Sequence, residues 1–290
     1  MKGNKKLKLS LIITTYNRPN SLELTLQSAF NQSILPDEII IADDGSGEET
    51  KKLIERYAAI APAPLIHCWQ EDKGFRLSKI RNIAIAKSVF DYIVMTDGDV
   101  VLERNFIRDH KRAAQIGFFV QGPKANLSKN TSQRLMKQKS YRINRVILFY
   151  DLIKNNRIVT TIHSSFLAWC IAKMACLKIP IVTDILNGPQ DALKAILGCN
   201  MAFWISDAIK VNGFNEEFLG WGREDNAFAA LLINNGIKRR NLKFEGLAFH
   251  LFHEHACSKD MLSKNTSILE DTITNKRTRT DNGLGKYLLN

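Results

Sequence analysis

A chain of 290 residues and 32.9 kDa, 45% apolar and 24% charged, can bury the core of one large α/β domain or of a domain with a smaller appendage. The formal net charge of +12 sets it apart from an ordinary soluble protein and points to an anionic partner: a phosphorylated metabolite, nucleic acid or an acidic membrane surface. Five scattered cysteines, Cys68, Cys170, Cys176, Cys199 and Cys257, form no CxxC pair, which excludes a disulfide framework and a cysteine metal site and suits a reducing compartment such as the cytoplasm.

The amino-terminal lysines precede an apolar run, Leu9 to Ile13, that is too short for a secretory leader, and Leu9 to Thr15 is read as the first strand. No stretch approaches the roughly 20 apolar residues of a membrane span. Asn17 to Ser21 ends this strand and starts a helix over Ser21–Gln32, with Ser21 as N-cap. A strand at Glu38–Ala42 runs into Asp43-Asp44-Gly45-Ser46. A helix at Thr50–Ile60, a strand at Leu65–Trp69 and a helix at Leu77–Val89 lead into a strand from Tyr92 that ends in Asp97 and Asp99. Alternating strands and helices predict a Rossmann-like α/β fold with a mostly parallel sheet, in which ligands collect at the carboxyl ends of strands.

Three polar signatures fall at those ends: Thr14 to Arg18, Asp43 to Ser46, and Asp97-Gly98-Asp99. Two carboxylates one residue apart repel unless a cation or base intervenes, so Asp97 and Asp99 suit a hard divalent metal. An Asp-Gly turn is the plainer reading of that pair alone. Asp44 has the chemistry to accept from a base N–H or a ribose hydroxyl, and Tyr16 to lie against a base ring. No GxGxxG or GxxxxGK[ST] loop is present, so phosphate charge falls to a cation and to Lys73, Arg76, Lys79 and Arg81.

In this order and spacing, Thr14-Thr-Tyr-Asn-Arg-Pro19, Ala42-Asp-Asp-Gly-Ser46, Lys73-Gly-Phe-Arg76 with Arg81-Asn82, and Thr96-Asp-Gly-Asp99 resemble the first half of a family 2 glycosyltransferase with a GT-A fold. The resemblance implies a nucleotide-sugar set of Thr14, Tyr16, Arg18, Asp44, Arg76, Arg81, Asp97 and Gly98. Within it Asp44 pairs with uracil, Arg76 and Arg81 lie near the base or phosphates, and Asp97 lies near the ribose or donor sugar. Asp99 is implied to hold a divalent metal, manganese or magnesium.

Further on, Gly198 to Trp204 reads as a strand and Ser206 to Val211 as a short helix. Trp221-Gly-Arg-Glu-Asp225 then opens a helix to Asn234. Carboxylates at a helix start have a structural explanation in the macrodipole, worth about 0.3–1 kcal/mol. The segment also resembles the Trp-Gly-x-Glu-Asp loop of inverting GT-A transferases of the galactosyltransferase and chondroitin-polymerase kind. That resemblance implies Asp225 as general base and Trp221, Gly222 and Glu224 as acceptor contacts. In Ala248 to His255 it implies His253 as a further metal ligand, with His250 as its rival.

The resulting expectation is four segments. Residues 1–121 form the nucleotide-sugar half, 122–195 a basic and apolar insertion, 196–257 the acceptor and catalytic half, and 258–290 a basic tail without a readable motif. From Gly122 to Arg157 the basic residues suit a flexible loop or basic helix, and Ile162 to Leu186 reads as a buried helix and strand. The expected activity is inverting transfer from a UDP-sugar to a glycan or lipid-linked glycan, with contact to an anionic membrane open from the cytoplasmic side. A nucleic-acid-binding protein is the alternative that charge alone supports, and it lacks aromatic-basic interleaving or a recognition helix. A GT-A module that binds without catalysing is the third reading.

Overall fold

The computed structural model describes residues 7–143, 189–190, 193, 196–242, 245–254 and 259–288. Strands β1 (Leu9–Thr15) and β2 (Glu38–Asp43) are buried at every residue, and β4 (Tyr92–Asp97) at all but its last. Alternate side chains supply two apolar clusters on opposite faces, Leu11, Ile13, Ile39, Ile41 and Val94 on one, Ile12, Ile40, Ala42, Ile93 and Met95 on the other. A sheet covered on both sides needs no polar alternation, which is why these segments read as unbroken apolar runs. Helices α1 (Pro19–Phe30) and α2 (Glu48–Ala58) cover the first face through Leu22, Leu26, Leu53 and Ile54. Helix α3 (Leu77–Lys87) covers the second through Ile80, Ala84 and Ile85, and α4 (Phe106–Ala113) adds Phe106 and Ile107 to the first.

Among the described residues the main sheet has the order β3-β2-β1-β4-β9-β6-β10-β8, with β3 at Leu65–Trp69, β6 at Phe118–Gln121, β8 at Pro189–Gln190, β9 at Asn200–Trp204 and β10 at Lys238–Asn241. Neighbours from β3 to β4 are parallel, whereas β9 runs antiparallel to both β4 and β6. A second, three-stranded sheet has the order β5-β11-β7, from Val100–Leu102, Ala248–His250 and Lys124–Asn126.

Ser21 is not the cap of α1. The helix starts at Pro19, Arg18 occupies the N-cap position without a side-chain cap, and proline's fixed φ suits the first helical turn. In the basic middle, Lys129–Gln138 is a helix, α5, capped by Ser128, whose hydroxyl accepts from the Thr131 amide at 3.2 Å. Arg145, Lys154, Arg157 and the run Ile162 to Leu186 lie outside the described residues. Cys68 and Cys199 are free thiols, and no described helix is long and apolar enough to cross a membrane.

Helix α6 (Ile205–Val211) follows β9, and α7 (Glu224–Asn234) adds Phe228, Leu231 and Leu232 to the second cluster. The polar carboxyl-terminal segment forms helix α8 (Lys259–Thr274), whose Leu269 packs with Phe218 and Ala227. Leu284, in a final 3₁₀ turn, is fully buried in the second cluster.

Candidate active site

The strand order reverses between β1 and β4: β2 lies on one side of β1 and β4 on the other, and it is outside the carboxyl ends at such a point that open α/β sheets form their ligand crevice. Register places Thr14 opposite Asp97, and Thr14 Oγ1 donates to Asp97 Oδ1 at 2.7 Å. Gly98 N–H donates to Thr14 O at 2.6 Å, and a Cβ on Gly98 would stand 2.9 Å from that same oxygen. Glycine at 98 is therefore a steric requirement, because it lets the chain turn tightly and carry Asp99 into the crevice.

Asp99 meets its partners through the small sheet. β11 pairs antiparallel with β5 so that His250 stands opposite Val100, and Leu251 N–H donates to Asp99 O at 2.9 Å. His253 Nε2 then lies 3.1 Å from Asp99 Oδ2, His250 Nε2 lies 3.5 Å from Oδ1, and Arg18 Nη1 donates to Oδ2 at 3.0 Å. Burial pushes the Asp99 carboxyl up, but the His253 hydrogen bond and the charges of His250, His253 and Arg18 outweigh it and hold the group below its ordinary value. One donor atom from each of Asp99, His250 and His253 lies within 4.8 Å of the others, and Asp99 Oδ1 is buried without a hydrogen bond. One carboxylate and two imidazoles with an acceptor atom to spare fit a first-row divalent cation. Where sequence reasoning set His253 against His250, both stand beside Asp99.

Arg81 is the centre of the second cluster. It is 1% exposed, and its guanidinium lies 5.1 Å from the centroid of the Phe214 ring. Nη1 donates to Asp225 Oδ1 at 2.6 Å and lies 3.5 Å from Glu224 Oε1, while Nη2 lies 3.8 Å from Asp97 Oδ1. One cation thus faces three carboxylates. Burial, then the Asp225 charge, raise the Glu224 carboxyl to about 7, and burial with the neighbouring Asp99 charge raises Asp97. Asp225 Oδ2 accepts from Gly198 N–H at 2.9 Å, and Glu224 Oε2 accepts from Gly222 N–H at 3.1 Å. Trp221, between two glycines, stays 48% exposed at the rim.

Sequence reasoning put Arg81 near the base or phosphates. In the structure it links Asp97, at the end of β4, to Glu224 and Asp225 of the Trp221–Asp225 loop. The neighbouring Asn82 serves the same junction: its side chain donates to Phe214 O at 2.8 Å and accepts from Phe214 N–H at 2.9 Å.

Just beyond β2, Asp44 is 4% exposed, accepts from Arg76 N–H at 2.9 Å and from the Gln70 amide, and is raised by burial. Tyr16, 44% exposed, donates to Asp72 Oδ2 at 2.9 Å, and the Arg76 guanidinium donates to Glu71 O. Lys73 pairs with Glu71 at 2.8 Å on the exposed edge. Gln70, which is buried, and Asp72, which stays exposed, were not singled out from sequence. Nothing in a polar loop marks which side chains meet Asp44 and Tyr16.

Residues 10–172 match the family model described as glycosyl transferase family 2. The chain belongs to that family. Residues 185–254 of this glycosyltransferase chain also match a model described as the N-terminal domain of galactosyltransferase. It is 27% identical over 248 residues to a chondroitin synthase of Escherichia coli, covering 83% of this chain and 34% of that protein. It is 27% identical over 239 residues to a hyaluronan synthase of Pasteurella multocida, covering 79% of this chain and 23% of that protein. The glycosyltransferase chain therefore spans about a third of the length of the first of these relatives and about a quarter of the second. Its fold is similar to that of Staphylococcus aureus TarS 1-349 in complex with UDP-GlcNAc, with a TM-score of 0.62, 14% identity and coverage of 97% and 69% of the two chains. It is also similar to a mannosyltransferase from Pyrobaculum calidifontis in complex with GDP-Man and Mn2+, with a TM-score of 0.55, 15% identity and coverage of 88% and 59%. The architecture is GT-A: a mostly parallel central sheet flanked by helices.

Proposed function

We propose that this chain transfers a sugar from a UDP-sugar to a hydroxyl of a glycan acceptor, with inversion at the anomeric carbon, in cell-surface polysaccharide or lipopolysaccharide synthesis. The observation that carries the reading is the single Arg81 guanidinium shared between Asp97, at the end of β4, and Asp225, in the opposite loop. A donor resting on the β1, β2 and β4 ends and an acceptor resting on Trp221 would meet between these two carboxylates.

In this reading Tyr16 and Asp44 take the uracil, Thr14 and Gly98 shape the floor, and Asp97 takes the ribose or donor sugar. Arg18 and Arg76 are the cations within reach of a diphosphate. Asp99, His250 and His253 hold the metal, and two imidazoles make manganese a better match than magnesium. Bound there, the ion supplies positive charge against that building on the departing diphosphate.

Asp225 is the base. An acceptor hydroxyl is a weak nucleophile and needs a carboxylate within hydrogen-bond reach. A carboxylate offers about four lone-pair sites, and Arg81 and the Gly198 amide use one on each Asp225 oxygen, fixing its orientation while leaving the others to take the proton. No covalent nucleophile is needed, so attack opposite the leaving group inverts the centre. Glu224 and Trp221 bind the acceptor sugar, by hydrogen bonding and by ring stacking.

Thermal-shift titration with a panel of UDP-sugars, with and without manganese, tests the reading. A ligand that binds only the native state raises apparent stability, by about 2.7 kcal/mol at a hundred times its Kd. A shift that needs both UDP-sugar and manganese is expected. No shift with any UDP-sugar, beside a salt-sensitive shift with single-stranded oligonucleotides, would favour the nucleic-acid reading.

A further inference from the structure

The family models end at residue 254, and helix α8 lies beyond them. In that helix Asn265 is 1% exposed, and its Nδ2 donates to two main-chain carbonyls, Leu219 O at 3.1 Å and Gly222 O at 3.0 Å. Both partners are acceptors, so the amide orientation follows without ambiguity. These carbonyls flank Trp221. Asn265 therefore holds the backbone on both sides of a side chain that itself remains at the surface.

The same face of α8 meets the loop at three more places. A Cβ on Gly220 would lie 2.5 Å from Met261 Sδ, and one on Gly222 would lie 3.0 Å from Leu262 Cδ1. Arg223 Nε donates to Thr266 Oγ1 at 3.4 Å. From the opposite side Gly220 N–H donates to Phe75 O at 3.1 Å, joining the loop to the segment that carries Arg76.

Left alone, this loop has little reason to keep its shape. Gly220, Gly222 and Arg223 all have positive φ, +72°, +107° and +78°. For a residue with a Cβ, such as Arg223, that region is strained, because the Cβ crowds the following carbonyl oxygen. Such a conformation persists only where its surroundings over-determine it. Asn265 is the buried polar group that does so.

We propose that Asn265 is the positioning residue of the acceptor loop, fixing Trp221 relative to Glu224 and Asp225 so that an acceptor sugar is held in line with the base. The assignment rests on the glycosyltransferase reading above. It separates acceptor binding, which Asn265 controls, from donor binding, which it does not touch.

The test uses the full chain with Asn265→Asp, nearly isosteric but presenting an acceptor to two carbonyls, and Asn265→Ser, which keeps one donor. Hydrogen exchange read by mass spectrometry is expected to quicken at least tenfold in peptides covering residues 216–223 of Asn265→Asp, less in Asn265→Ser, with β1 and β4 peptides unchanged. With manganese and UDP-GlcNAc, release of UDP into water should stay within twofold. Transfer to p-nitrophenyl β-N-acetylglucosaminide should lose at least tenfold in kcat/KM, through KM. Unchanged loop exchange in both folded variants would overturn the assignment. So would a uniform rise in exchange across loop and strands with a parallel loss of hydrolysis and transfer, which is the mark of a merely structural residue. A wild-type chain that releases UDP from no UDP-sugar defeats the glycosyltransferase reading instead, and loop exchange then decides the clamp by itself.

Discussion

Around Asp99 one carboxylate faces a guanidinium and two imidazoles, whereas around Arg81 one guanidinium faces three carboxylates. The two clusters adjoin, since Asp97 and Asp99 are two residues apart, yet their electrostatics run in opposite directions. Asp99 is held ionised, while burial and like charge raise Glu224 and Asp97. The difference separates their chemistry. The first cluster has the donor set for a cation, and the second sets three carboxylates around one positive charge.

The largest effect expected at the second cluster is catalytic. Asp225→Asn should lower turnover of a UDP-sugar by about 100- to 10,000-fold, the range for a positioned general base, with UDP affinity measured by calorimetry nearly unchanged. Equal losses in both would place Asp225 with the donor rather than the acceptor.

Removing Arg81 should unbalance the same cluster. Arg81→Met leaves the buried Glu224 carboxylate and the half-buried Asp97 and Asp225 carboxylates without their counter-charge and should cost about 3–5 kcal/mol in urea unfolding, against a usual total of about 5–15 kcal/mol. A loss under about 1 kcal/mol, the scale of an exposed ion pair, would deny Arg81 its central place.

Glu224 sharpens the contrast through pH. Its carboxyl is raised from an ordinary 4.5 to about 7, so the fold holds a proton that the unfolded chain releases, and stability falls as pH rises across that window. Glu224→Gln should therefore relieve up to about 3 kcal/mol at pH 8 and little at pH 4. Asp99, shifted downward, has the opposite sign: its contribution is present above the ordinary carboxylate range and is lost as pH falls below it. Thermal melts of Glu224→Gln and wild type from pH 4 to 8 check this, and a constant difference would contradict it.

At the first cluster, His250→Ala and His253→Ala should each weaken manganese binding at least about tenfold, the loss that even an outer partner of a metal commonly brings. Paramagnetic resonance titration reads this directly, and an unaffected His250 variant would restore the single-histidine choice. The smallest effect is expected at the rim. Trp221→Ala should raise acceptor KM about tenfold, near 1.4 kcal/mol, with UDP binding intact.

Much of the first cluster's setting was legible in the sequence. The boundaries of Leu9–Thr15 and Leu65–Trp69 match the structure, because an apolar run closed by polar residues has few other places to go. Short strands carry no such signal. Lys238–Asn241 reads Lys-Arg-Arg-Asn and becomes a strand through its neighbours, parallel to Phe118–Gln121 and antiparallel to Pro189–Gln190. The histidine choice stayed open because it depends on how β11 registers against β5. Arg81 was visible as a basic residue in a motif, but its partner Asp225 lies 144 positions away, and only the folded chain shows which charge it meets. Asn265 had no signal at all: an asparagine in a polar helix is unremarkable until its amide is seen facing two carbonyls.

The carboxylate at the end of β4 and that of Asp225 in the Trp221–Asp225 loop share one guanidinium. A double-mutant cycle on unfolding free energy, with Asp97→Asn, Asp225→Asn and both together, tests it most directly. Shared contact with Arg81 predicts a coupling of at least about 0.5 kcal/mol, whereas independent sites add within about 0.3 kcal/mol. Additivity at that level would mean that the two carboxylates do not belong to one site.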